Sequence, residues 1–249
     1  MTQPIPKAST PSVMVSLFAY GDIKADMLQP LMDTVAHIMR GQRPVQFSTI
    51  REDALICRSR SRELAKFLLS NLDVWVLLDH DIHYDPTDLF ALADLAHSKR
   101  KPICVPYSKR ALPPQPAIRT LPDHPLPPAG VDALTEINAF TTGFLAIPRH
   151  CLEDTVPTLL DPSSPVPLRI YQCRDVSSHA FAPSFPSLFQ PFPLDTAANG
   201  QFEYLSEDYA ASVRLKACGH EPYAWSKPIL GHISNFAYKL PTTALVSNA

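Results

Sequence analysis

The sequence predicts an α/β fold: one domain built on a mainly parallel central sheet flanked by helices and interrupted by a proline-rich irregular insertion. Three observations carry this. Short apolar runs alternate with segments of helical apolar spacing through the first half of the chain, the pattern of strands covered on both faces. The chain has 249 residues, 45% of them hydrophobic, enough to bury a sizeable single core. Proline numbers 27 against 7 glycines, with 18 prolines between Pro102 and Pro193. Each fixes φ and removes a backbone donor, so long regular elements are not expected in that stretch. Ile103, Tyr107, Phe140, Phe144, Ile170, Phe181 and Phe189 supply apolar anchors there, which reads as irregular but ordered chain.

Residues 1–12 read as a flexible N-terminus, 13–238 as the domain and 239–249 as a C-terminal tail. Val13–Ala19 is a buried strand closed by Tyr20-Gly21-Asp22. Leu28, Leu31, Met32, Val35, Ile38 and Met39 then follow at helical spacing, with Gly41 placed to end that helix. A second strand is expected over Pro44–Ile50, and a helix from near Arg58 carries Leu64, Phe67 and Leu68 on its apolar face. Asp73–Leu78 is a nearly continuous apolar run that stops abruptly at Asp79-His80-Asp81. Asp85-Pro86-Thr87-Asp88 has the form of a helix start, with a capping acid and proline at the first helical position. That helix runs to Lys99-Arg100-Lys101, cations placed at its negative end. Further strands are expected at Ile103–Pro106, Ala139–Ile147 and Glu221–Trp225, a helix from Ser206 to Gly219, and Gly231-His232 in a loop beyond.

A formal charge of −2 excludes a globally basic nucleic-acid coat protein. No apolar run approaches the ~20 residues needed to cross a bilayer. The segment MTQPIPKASTPS lacks the apolar run of a secretory leader, and the five cysteines form no CxxC pair. A cytoplasmic protein with free thiols is therefore expected. Glycine-rich dinucleotide and P-loop signatures, GxSxG and HExxH are absent.

The sharpest chemical signal is Asp79-His80-Asp81. Ligands of open parallel sheets bind outside the carboxyl ends of the strands, and two carboxylates in a turn there can converge on one hard divalent cation. The alternative is a polar loop whose acids serve as caps.

Asn71 to Ile82, followed by Pro86 and a helix, resembles the DxD strand of GT-A-type glycosyltransferases, specifically the small family-2-like enzymes of viral and bacterial type. Three further segments match in order. Val15–Gly21 resembles the family's first strand and nucleotide loop, and Thr142-Gly143-Phe144 through Arg149 its "tGfmlirR" strand. Tyr204 through His220 resembles its "sEDydfcrrlrkaG" segment, followed by Gly231-His232 as the late "gH". The resemblance implies a GT-A-like, Rossmann-like domain that moves a sugar from a nucleoside-diphosphate donor, UDP ahead of GDP, to a glycan or other hydroxyl acceptor.

It also implies Mn²⁺ or Mg²⁺ on the donor diphosphate. Asp81 would be the first metal ligand, Asp79 would hold the ribose or share the metal, and His232 would be a further ligand. Asp208 would be the base of an inverting reaction, with Glu207 the other candidate; both also suit a helix start behind Ser206. Tyr20, Arg58 and Arg62 would face the nucleotide. Arg62 stands where the family commonly has asparagine, and a solvated helix face is the other reading of Arg58–Arg62. Thr142 and Gly143 would flank the acceptor, the small residue leaving room for sugar, or reflect strand geometry alone. Trp75 and Trp225 read as core. Two rivals remain: a non-catalytic nucleotide- or carbohydrate-binding module on this scaffold, and a metal-dependent phosphohydrolase using Asp79, Asp81 and His232.

Overall fold

A computed structural model describes residues 10–19, 21–41, 43–51, 53–174, 184–195, 202–233, 237–240 and 242. Tyr20, Phe181, residues 1–9 and most of the C-terminal tail lie outside the described residues. In chain order the elements are β1 (Val13–Ala19), α1 (Leu28–Met39), β2 (Val45–Arg51), α2 (Ile56–Leu69), β3 (Val74–Asp79), β4 (Ile82–His83), α3 (Pro86–Lys99) and β5 (Ile103–Cys104). Then follow β6 (Arg119–Thr120), β7 (Leu134–Ala139), β8 (Phe144–Pro148), α4 (Arg149–Leu160), β9 (Gln172–Cys173), β10 (Phe185–Pro186), β11 (Phe192–Asp195) and β12 (Phe202–Leu205). The chain closes with α5 (Glu207–Ala217), β13 (Tyr223–Trp225), β14 (Gly231–Ile233) and β15 (Ala237–Lys239).

The central sheet has eight strands in the order β2-β1-β3-β8-β5-β13-β7-β6. Strands β1, β2, β3, β5, β6 and β13 run one way, and β7 and β8 run against them. The sheet is therefore mainly parallel in sense, with a reversed strand, β8, inserted between β3 and β5. The apolar runs of β1 and β3 are buried because their two faces feed two cores. Val13, Val15, Leu17, Val74, Val76 and Leu78 pack with Leu89, Leu92 and Ala96 of α3. Met14, Phe18, Trp75 and Leu77 point the other way, against Leu64 and Phe67 of α2, Leu152 and Leu159 of α4, and Leu215 of α5. Two helix layers thus sandwich one sheet. Trp75 and Trp225 are both core, as expected. Among the described residues, no helix is long and apolar enough to cross a membrane.

Local signals act as their chemistry predicts. The Thr87 amide donates to the Asp85 side chain at 2.8 Å, capping α3, and Gly41 takes φ +67° just past α1. Four expectations need correction. Residues 139–147 are not one strand: β7 ends at Ala139, β8 starts at Phe144, and Thr142-Gly143 lies in the link between them. His232 sits in β14 rather than a loop, because β14 pairs with β4 and β15 in a small separate sheet. The proline-rich stretch contains the 12-residue helix α4. Its internal Pro157 falls near the C-terminal end, so the helix is already established before that donor is lost. Ser206 does not cap α5; its hydroxyl donates to the Asp208 side chain instead.

Asp73 pins the edge of the sheet. The Ser12 amide and hydroxyl donate to its Oδ2 at 2.8 and 2.7 Å, and its own amide donates to the Ser12 carbonyl at 3.0 Å. This staple sets the register in which Val13 faces Val74. Burial works against the Asp73 charge, but the Ser12 donors outweigh it and hold the carboxyl below its usual range. Asp73→Ala should therefore cost about 2 kcal/mol in denaturant unfolding. A carboxyl depressed in the folded state stabilises above its unfolded pKa of about 3.9, and the contribution fades as pH falls through the folded value. The stability gap between wild type and variant should accordingly be full at neutral pH and shrink in acid.

Candidate active site

Strand β3 delivers Asp79 to the carboxyl edge of the sheet, where the Asp79 amide donates to the Gly143 carbonyl and the His80 amide to the Phe18 carbonyl, both at 3.0 Å. The turn at His80-Asp81 leads directly into β4, and β4 pairs with β14 so that His232 stands opposite Ile82. The Ile233 amide donates to the Asp81 carbonyl at 2.7 Å, closing that corner. The ladder thus places His232 Nε2 3.5 Å from Asp81 Oδ2. Helix α5 begins on the same side, with Glu207 and Asp208 in its first turn. Asp79, Asp81, Glu207, Asp208 and His232 therefore meet at one edge, brought there by β3, β14 and α5.

The group that joins them is Arg60, the middle arginine of Arg58-Ser59-Arg60-Ser61-Arg62 and not among the residues that the motifs single out. It is 2% exposed. Its Nη2 donates to both Asp79 oxygens, at 2.9 and 3.1 Å, and its Nη1 donates to Glu207 Oε1 at 2.8 Å. The guanidinium carbon lies 5.5 Å from the centre of the Phe18 ring. Burial disfavours the Arg60 charge, and Asp79 and Glu207 together more than restore it. A signal for this is present in the sequence: Arg60 shares its helix face with Leu64 and Phe67, four and seven residues on, and that face is core. Arg58 and Arg62, one turn apart, point elsewhere and pair with Asp53 at 2.6 and 3.5 Å. Asp53 lines a cleft with Phe18, Ala19, Ile50 and Ser59 beside the end of β1.

Asp81 is partnered differently from Asp79. Arg110 and His232 both reach Oδ2. Burial would raise the Asp81 carboxyl, but the imidazole and the guanidinium outweigh it and keep the group below the usual carboxylate range. His232 Nδ1 lies 2.8 Å from the Ser108 carbonyl, an acceptor, so Nδ1 carries a proton and Nε2 is the atom turned toward Asp81. At 3.5 Å from Asp81 Oδ2, Nε2 can share a proton with the carboxylate or, with that proton displaced, offer its lone pair beside it to one cation. A carboxylate and an imidazole oriented by a backbone carbonyl are a fitting ligand pair for Mn²⁺, and the carboxylate suits Mg²⁺.

Asp208 accepts from the Ser206 hydroxyl and from the Tyr209 amide, the latter at 2.8 Å, both on Oδ1. Burial raises its carboxyl, the Ser206 bond offsets this only in part, and the Glu207 charge adds to the rise. Tyr107 packs beside His232. Its hydroxyl bonds to Thr141, and its ring meets the His232 ring edge-on at 5.1 Å. Gly143 lies against Tyr107: a Cβ there would come within 2.7 Å of its ring. Thr142 beside it is buried at 2% exposure. Arg149, matched to the "tGfmlirR" arginine, caps the far end of α2, its Nη2 donating to the Phe67 and Ser70 carbonyls at 2.8 Å each.

Removing Arg60 would leave two carboxylates facing each other across a buried gap. Arg60→Met should cost on the order of 3 kcal/mol in chemical denaturation. Arg60→Lys should recover only part of that loss, because an ammonium cannot span both carboxylates as a planar fork does. A Met variant as stable as wild type would show that the bridge contributes nothing net.

No protein-family model and no curated protein matches this chain. Among solved structures, the crystal structure of A197 from STIV is similar over 96% of this chain and 97% of its own, with 13% identity and a TM-score of 0.53. The crystal structure of GalNAc-T7 with UDP, GalNAc and Mn²⁺ aligns with 95% of this chain and 46% of its own, at 11% identity and a TM-score of 0.47, too low to carry an argument. What the first likeness shows is the fold: a mixed α/β domain shared along nearly the whole chain with A197.

Proposed function

We propose that this chain is a divalent-metal-dependent glycosyltransferase of GT-A type, using a nucleoside-diphosphate sugar, with UDP as the preferred nucleotide. The observation that carries the reading is the convergence of Asp79, Asp81 and His232 with Glu207 and Asp208 at the carboxyl edge of the sheet. These residues come from segments far apart in sequence, and each segment by itself resembles one of the motifs of sugar transfer. The phosphohydrolase rival uses Asp79, Asp81 and His232 and leaves Glu207 and Asp208 without a task.

Asp81 and His232 would hold Mn²⁺ or Mg²⁺, with Asp79 beside them; when bound, the ion supplies positive charge against the departing diphosphate. Arg110 stands on Asp81 and is placed to answer phosphate charge as well. The cleft at Phe18, Ala19, Ile50 and Asp53 is where the reading puts the base, with Arg58 and Arg62 acting through Asp53. Glu207 is committed to Arg60, so Asp208 is the general base. It takes the acceptor hydroxyl's proton as that oxygen bonds to the anomeric carbon. The bond from that carbon to the diphosphate oxygen breaks in the same displacement, its electrons leaving with the nucleotide and the configuration inverting. Gly143 serves the acceptor side through Tyr107, whose ring it seats, with Thr142 next to it in the chain.

Calorimetric titration of UDP and GDP, with and without Mn²⁺, tests the donor site: micromolar, metal-requiring binding of UDP is expected, and binding of neither nucleotide to folded protein overturns the reading. Asp81→Ala should abolish the metal-dependent binding while leaving the melting temperature near wild type. Asp208→Asn should keep donor affinity and lose about 10²–10⁴ in turnover. Because the base works ionised and its carboxyl is raised, the acid limb of kcat/KM should lie above the ordinary aspartate value of about 3.9. Near-normal turnover in Asp208→Asn would move the role to Glu207.

A further inference from the structure

At the opposite edge of the sheet, where β8 ends and α4 begins, a second cluster of ligating side chains serves no part of the proposed transfer. His150 and Cys151 open α4, and His220 lies between α5 and β13. Their ligand atoms all fall within 4.8 Å of one another. Cys151 Sγ is 3.4 Å from His150 Nε2, and the two imidazoles meet at 5.6 Å between ring centres, nearly perpendicular. Asp154, one helical turn beyond His150, brings Oδ2 to 3.4 Å from His220 Nε2.

We propose that His150, Cys151 and His220, with Asp154 beside His220 as the nearest fourth donor, form a binding site for a borderline-soft divalent cation of the zinc class, clipping the start of α4 to the α5–β13 turn. Three observations carry it. First, the clustered donors are two imidazoles and a thiol, ligand types that zinc takes, whereas a site built of oxygen ligands would suit magnesium or calcium. Second, the spacing fits. Ligand bonds of about 2.0–2.1 Å to nitrogen and about 2.3 Å to sulfur give tetrahedral N···S edges of about 3.5 Å, beside the 3.4 Å between His150 and Cys151. Third, His220 is only 9% exposed, yet its buried Nε2 makes no hydrogen bond and faces the Asp154 carboxylate. A buried polar atom without a partner costs on the order of 1–3 kcal/mol, and a metal at this point would satisfy it.

The chemistry balances without an oxidant. The Cys151 thiol, held protonated by burial, releases its proton as sulfur binds the ion, and both imidazoles bind through lone pairs. The site is independent of the sugar-transfer reading: α4 begins at the end of β8 that pairs with Val74, while Phe144 at the other end pairs with Leu78 beside Asp79. A role in catalysis is not part of the proposal; the ion would fasten two helices of one layer.

Cobalt(II) alone, titrated into the full-length chain, reads the site directly, because only thiolate ligation gives an intense near-ultraviolet charge-transfer band. The expected result is a stoichiometric band with tetrahedral visible transitions, displaced by zinc. It should persist in Asp81→Ala, which disables the other candidate metal site, and in Cys218→Ser. It should vanish in Cys151→Ser, and His220→Gln should weaken cobalt binding on the order of 100-fold. His150→Gln, at a half-buried position, keeps the test decisive if Cys151→Ser does not fold, and should weaken binding comparably. Absence of the band in folded wild-type protein, or cobalt affinity unchanged in the folded His150 and His220 variants, overturns the proposal and leaves Cys151 and His150 as a simple hydrogen-bonded pair.

Discussion

The geometry of the acidic edge depends on one buried cation. A guanidinium removed from water must be matched by charge and by hydrogen bonds, and Arg60 finds both in Asp79 and Glu207. Those partners lie 19 and 147 residues away in sequence, at the end of β3 and the start of α5. Satisfying Arg60 therefore forces α2, β3 and α5 into one arrangement, and that arrangement determines where the remaining groups stand. Glu207 is drawn into the ion pair. Asp208, next to it, is left with neutral hydrogen-bond donors and a raised carboxyl. The two acids share a sequence neighbourhood and differ in chemistry because a single arginine selects one of them.

Tyr107 performs the complementary task on the other side. Its ring fills the place a side chain at residue 143 would take, and its hydroxyl is bound by Thr141. Edge-on against His232, it helps hold the imidazole whose Nδ1 is anchored on the Ser108 carbonyl, one residue along the same segment. The imidazole side of the edge thus rests on one aromatic ring, and the glycine makes room for it.

Much of this is legible in the sequence because the signals are local. Continuous apolar runs announce β1 and β3, and the Asp85-Pro86 pair announces the start of α3. The acid turn after β3 and the acids opening α5 can be read directly from residue type and position. What escapes depends on contacts between distant segments. β14 is three residues long and exists as a strand because β4 and β15 are there to pair with it. The Thr142-Gly143 link reads as strand by composition, yet it joins β7 to β8, which stand apart in the sheet with β5 and β13 between them. Proline content argues against α4, although a single internal proline near its end leaves most of its hydrogen bonds intact. Arg60 is hidden among three arginines spaced two apart, where helical periodicity turns the middle one inward while its neighbours pair with Asp53.

The reversed strand β8 has a mechanical consequence. It is five residues long, so it spans about 17 Å from the Gly143 corner to the first turn of α4. Fully buried and paired on both sides, with β3 and β5, it has no slack to absorb a displacement at either end. It acts as a strut between the two edges of the domain: anything that shifts the seat of α4 pushes along a rigid member whose other end abuts the backbone carrying Asp79.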